Sequence, residues 1–187
     1  PAIAALVAAA SQPEAVSWAL AQLGGVLTLV CPAAALEAEL ARFAPAYQEG
    51  LCALTFRRLN LKPGALDQDI AFLADMFAWL TESQAGWDQF VHDWFGADAA
   101  RANAGPQGAL YAQATFAPVR ASLEKRSTGG DAARAPYFQQ PRPASLVFEE
   151  VERIWAPIAE ADDWSLFEAK LADIAALGAA LNHERAG

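Results

Sequence analysis

Apolar residues recur at three- and four-residue spacing along almost the whole chain, the period of an α-helix and not the alternation of a strand. From Pro13, suited to a first helical turn, Val16, Ala19, Leu20, Leu23, Val26, Leu27 and Val30 predict a helix buried on a wide face and closed by Cys31-Pro32. Gly24-Gly25 in its middle costs roughly 1 kcal/mol per glycine and marks a close crossing or a kink. Pro32 opens a second helix with the stripe Leu36, Leu40 and Phe43, which Pro45 breaks or kinks. Tyr47, Leu51, Leu54 and Leu59 then lead to the turn Asn60-Leu-Lys-Pro-Gly64.

Asp67 is the expected N-cap of an amphipathic helix carrying Ile70, Leu73, Ala74, Phe77 and Leu80, interrupted at Ser83-Gln-Ala-Gly86. Trp87, Phe90, Val91, Trp94 and Phe95 form a short aromatic helix ending at Gly96, with its stripe read as core and not as a ligand-stacking surface. Residues 97–108 are small and contain Gly and Pro. A helix from about Ala109 to Arg126 follows, with Leu110, Phe116, Val119 and Leu123 on it and Pro118 as a kink. Ser127-Thr-Gly-Gly-Asp131 and the proline-bearing stretch Arg134 to Pro143 make 127–143 a flexible, extended connector. Its Tyr137-Phe138 favours packing on the body over service as a polyproline ligand. Ser145 is the expected cap of a helix with Phe148, Val151, Ile154 and Trp155. Asp162 or Asp163 caps the last, with Trp164, Phe167, Leu171, Ile174 and Leu177 on one face, and Ser165 and Glu168 at capping-box spacing. The expected fold is all-α, one helical domain over 1–187 with an extended Pro-rich segment before the last two helices.

Composition narrows the function. A chain of 187 residues, 55% hydrophobic with a mean hydropathy of +0.15, can bury a sizeable core and is not disordered. A net charge of −9 repels phosphate backbones and disfavours a nucleic-acid reader. The basic pairs Arg57-Arg58 and Lys125-Arg126 read as solvated helix ends. Cys31 and Cys52 match no zinc or redox spacing and read as small buried hydrophobes in a reducing, cytoplasmic setting. No apolar run reaches the roughly 18 to 20 residues of a membrane helix. Pro1 to Ala10 lacks the basic flank of a signal peptide, and a start without Met suggests a fragment, a processed product or a trimmed chain.

Candidate chemistry is sparse. Asp88 and His92, four residues apart, could form a pair that orients an imidazole for base catalysis, although a helix-surface pair is the simpler reading because no motif places a nucleophile. His183 falls in a fraying tail. Asp67 with Asp69, and Asp162 with Asp163, could hold a cation weakly, and capping accounts for both more simply. No phosphate loop, HExxH, GxSxG or dinucleotide fingerprint occurs, so this chain is assigned no catalytic, cofactor-binding or metal residue.

Three segments in order resemble the C-terminal part of the SelO family of protein adenylyltransferases. They are Gln12-Pro-Glu-Ala-Val-Ser-Trp18-Ala-Leu-Ala-Gln-Leu23, with Ala19 where the family usually has Asn; Trp87-Asp-Gln-Phe-Val-His-Asp-Trp-Phe-Gly96; and Pro143 to Trp155 with Asp162-Asp-Trp164. The resemblance implies an all-α, C-lobe-like extension of a kinase-like protein. Whole members transfer AMP from ATP, with Mg or Mn, onto Ser, Thr or Tyr hydroxyls of protein substrates, and their ATP lies inverted relative to kinases. Their phosphate-binding Lys and Arg and metal-binding Asn and Asp precede the QP helix, and this chain has no counterpart. The family's aromatic-Gly lead into that helix is replaced by Pro1 to Ala10, and no Cys follows Cys52 to supply the redox motif of some members. The implied role is the C-terminal helical segment of a SelO-like enzyme, inactive alone and docked on an N-terminal lobe through an uncovered apolar face near the first helix. The alternatives are a free-standing acidic interaction module and a hydrolase built on Asp88 and His92.

Overall fold

The computed structural model describes residues 12–129 and 134–182. Pro1 to Ala10, the Asp131 end of the loop and His183 lie outside the described residues. The fold is all-α, with no β-strand among the described residues and one isolated antiparallel bridge, Leu61 to Ser127. The chain divides into two compact units, Pro1–Leu54 and Thr55–Gly187.

In the first unit α1 spans Gln12–Leu27 and α2 spans Ala33–Leu40, and α3, Phe43–Leu59, begins there. Gly24 is the close crossing: a Cβ on it would lie 3.3 Å from Leu40 Cδ1, whereas one on Gly25 would meet nothing within 4 Å. The helix continues through both glycines. The chain breaks at Ala41-Arg42, and Pro45 sits in the first turn of α3 and does not break it, because a first-turn N–H has no helical partner to lose. Leu36, Leu40 and Phe43 are half-buried as a stripe, and Phe43 stacks on Tyr47 at 6.1 Å. The wide buried face expected of α1 is absent. Val16, Leu23, Val26 and Val30 are exposed, and Trp18 keeps 67% of its surface in solvent. The eight residues of α2 span about half the length of the sixteen of α1 and cover it only around Gly24. Cys31 is exposed, against expectation, because it follows the end of α1; Cys52 is buried.

The second unit takes the end of α3 and then α4 (Leu66–Ser83), α5 (Trp87–Trp94), α6 (Ala99–Ala104), α7 (Gly108–Tyr111), α8 (Ala117–Lys125), α9 (Phe148–Ala161) and α10 (Ser165–Asn182). Its core is aromatic. The Trp79 ring lies 4.5 Å from Phe116, and Phe90, Trp94 and Tyr111 close around them. The stripe of α5 is therefore core, and Gly96 ends it at φ 73°, a left-handed turn that glycine adopts freely.

Several local expectations shift. Residue 65, not Asp67, caps α4, and Asp69 turns inward to accept the Gly64 N–H at 2.8 Å. Arg126 is buried, not solvated, because Asp69 neutralises it at 3.1 Å and Phe72 lies under its guanidinium. Within residues 97–108, Asp98 caps a short helix, α6, by accepting the Arg101 N–H at 3.1 Å. The long helix expected from Ala109 is broken at residues 112–116, and Pro118 lies in the opening turn of α8, where it needs no kink. Ser145 caps nothing; its hydroxyl donates to Asp88 at 3.0 Å. Tyr137 and Phe138 are buried on a 3₁₀ turn, as packing on the body requires, and Phe138 stacks on Phe95 at 4.0 Å.

Candidate functional site

The polar chemistry gathers on α5, where Asp88, Gln89, His92 and Asp93 alternate with aromatic anchors. Every residue from Phe90 to Trp94 is buried, so this helix is surrounded on all sides and His92 is not the surface residue expected of it. Asp88, at the opening of the helix, accepts from Arg58 Nη2 at 3.2 Å and from the Ser145 hydroxyl. His92 faces the Tyr137 and Phe138 rings at 5.6 and 5.7 Å. Its Nε2 is 3.5 Å from the Tyr137 carbonyl, and its Nδ1 is 3.6 Å from Asp93 Oδ1 without a hydrogen-bond partner. Asp88 and His92 border one cavity of about 40 Å³ but no hydrogen bond joins them as a dyad. Room on that scale suits a water molecule and not a substrate.

Asp93 is the hub that the sequence did not reveal. Its buried carboxylate accepts from Gln89 Nε2 at 2.8 Å and from the Tyr111 hydroxyl at 2.9 Å. Burial, and then the Asp93 charge, push the Tyr111 phenol far above its ordinary range, so it stays a donor. Arg101 ties the carbonyls of Asp93 and Phe95, at 3.2 and 2.6 Å, around the Gly96 turn, and burial lowers its own pKa. These groups hold the α5–α6 connection in place. Nothing in the i, i+4 pattern of α5 announces a partner eighteen residues away, so pairing Asp93 with Tyr111 required the fold.

Asp162 and Asp163 each make a local contact. Asp163 accepts the Ser165 N–H at 2.9 Å, which holds its carboxyl below its usual range, and so caps α10; Asp162 accepts from Trp164 Nε1 at 2.8 Å. A larger groove, about 680 Å³, runs beside Trp87, Pro141, Arg142 and Ser145 and reaches Glu150, Arg153 and Lys170. Arg153 and Lys170 both close on Glu150, at 2.9 and 2.6 Å, and hold its carboxyl at about 2.

Against this geometry, the model of the family described as protein adenylyltransferase SelO matches residues 6–175. The chain belongs to the SelO family. The match takes in all three resembling segments, from the QP helix that becomes α1 to the Asp162-Asp-Trp164 turn before α10. No curated protein and no solved structure matches the chain. The α5 cavity is water-sized, Arg153 and Lys170 of the groove share the one carboxylate of Glu150, and no described cluster of three His, Cys, Asp or Glu could hold a metal ion. Among the described residues no helix is long and apolar enough to cross a membrane.

Proposed function

We propose that this chain is the C-terminal helical part of a SelO-like protein adenylyltransferase, and that it supports an N-terminal kinase-like lobe that binds ATP and Mg or Mn and transfers AMP to protein hydroxyls. The observation that carries the reading is the exposed apolar surface of α1. Val16, Leu23 and Val26 project into solvent from one side of α1 and Trp18 from the opposite side, in a stretch in which Glu14 is the only charge between residues 12 and 36. Burying one large apolar side chain is worth about 1.5–3 kcal/mol, so a face of this kind calls for a covering surface.

The test is AMP transfer from labelled ATP, with Mg or Mn, by the chain alone and by the chain mixed with a SelO-type N-terminal lobe. Activity only in the mixture, lost on Trp18→Asp, supports the reading. Activity of the chain alone overturns it, as does a mixture in which Trp18→Asp changes neither association nor transfer. The open groove beside Trp87 favours a second reading, a non-catalytic acidic interaction module. AMP transfer that depends on this chain excludes that module as the whole account.

A further inference from the structure

The last two helices carry a second uncovered face of different chemistry. Between Ser145 and Asn182 stand eight carboxylates and two cations, a net of −6 out of −9 for the whole chain. Both cations, Arg153 and Lys170, are drawn onto Glu150. Glu149, Glu152, Glu160 and Glu168 are left exposed and without an opposite charge. The same segment exposes large apolar side chains at helical spacing. On α9 these are Phe148 at 74%, Val151 and Trp155 at 58%; on α10 they are Phe167, Leu171 and Ile174. The inward sides are already occupied: Ile154 is buried, and Leu177 and Ala180 pack with Phe95, Tyr137 and Phe138. The outer stripes are therefore additional to the core.

Apolar stripes edged by unneutralised carboxylates select their occupant. Nucleic acid and anionic lipid surfaces are repelled. A second copy of this chain would bring the same carboxylates against their own kind. An apolar helix edged with Lys or Arg satisfies both the stripe and its rim. We propose that α9 and α10 form a docking face for a basic amphipathic helix of a partner protein, and this holds whichever reading of the catalytic role is right.

The experiment uses the full chain and a fluorescent helical peptide of leucine and lysine, about five turns long, with leucines on one face. Saturable binding that weakens with salt is expected. It should weaken about tenfold on Trp155→Ser and on the pair Glu149→Lys with Glu152→Lys. The pair Asp75→Lys with Glu124→Lys makes the same charge change at exposed positions on α4 and α8 and should alter affinity by less than about twofold. All these positions are exposed, so the helical circular dichroism should be unchanged. Absence of binding overturns the proposal. So does equal weakening by both charge-swapped pairs, equal binding of a leucine–glutamate helix, or a dimer of the chain that Trp155→Ser splits.

Discussion

Replacing Asp69 by alanine leaves the Arg126 guanidinium inside the second unit without its counter-ion. Asp69 keeps 3% of its surface in solvent and Arg126 9%. One carboxylate oxygen accepts from Arg126 Nε at 3.2 Å and Nη2 at 3.1 Å, and the other accepts from the Gly64 N–H. Removing one member of a buried pair costs about 3–5 kcal/mol, because the other charge stays desolvated and unpaired. Arg126 also donates to the Gln68 and Ser122 carbonyls and lies 4.8 Å from the Phe72 ring and 5.7 Å from Phe56, which places the loss near the lower end, about 3 kcal/mol. The orphaned Gly64 N–H adds about 1 kcal/mol. That sum is a large part of the 5–15 kcal/mol typical of a domain. Urea unfolding followed by tryptophan emission reports chiefly on this unit, because Trp18 is the one tryptophan outside it. The double variant Asp69→Ala with Arg126→Met removes both ions and should be more stable than Asp69→Ala alone. A loss under about 1 kcal/mol for Asp69→Ala, or a double variant as weak as the two singles added, would refute the argument.

Two further predictions rest on single contacts. A Cβ at Gly108 would stand 2.1 Å from the Asn103 carbonyl oxygen and 2.9 Å from its carbon, both backbone atoms that cannot swing away. Gly108→Ala should cost at least about 2 kcal/mol in the urea midpoint, while Gly86→Ala, whose Cβ would meet only Gln107 Nε2 at 3.8 Å, should be near neutral. Hydrogen bonds from Arg153 and then Lys170 hold the Glu150 carboxyl at about 2, below its ordinary 4.5. Its folded pKa lies below the unfolded one, so its contribution is present above about pH 4.5 and is lost as pH falls toward 2. Glu150→Gln should flatten this acid limb in urea midpoints taken between those two values, and an unchanged limb would count against the bridge.

The all-α class was legible because helical spacing persists through every apolar run, and the core was legible where aromatic residues repeat on one face, as on α5. What stayed hidden has a common physical cause. Periodicity says that a side is apolar but not whether a neighbour covers it: α1 and α9 carry stripes as regular as that of α4, yet most of α1's and all of α9's but Ile154 lie in solvent. Polar residues were hidden for the opposite reason. Arg126 reads as a helix-end cation and His92 as a helix-surface imidazole, and each is buried by segments distant in sequence, Asp69 and Phe72 for the first and Tyr137 and Phe138 for the second. Capping was read to within a few residues. Asp163 does cap α10, whereas Ser145 and Asp67 lost that role, Ser145 to a bond with Asp88 and Asp67 to a helix that starts one residue earlier.

The two uncovered faces place different demands on whatever meets them. The α1 face has almost no charge, so covering it desolvates no carboxylate, and a neighbour of the same family enzyme could stay there permanently at little electrostatic cost. The α9 and α10 face keeps its carboxylates around the apolar stripes, where water solvates them until an opposite charge arrives. Burying that face under an uncharged surface would strand those groups, and salt should govern its occupancy. A lasting neighbour, such as the proposed lobe, therefore suits the first face, and the proposed basic partner, which comes and goes, suits the second. A chain of this family can carry both because neither face draws on the aromatic core around Trp79 or on the Asp93 network that holds the second unit together.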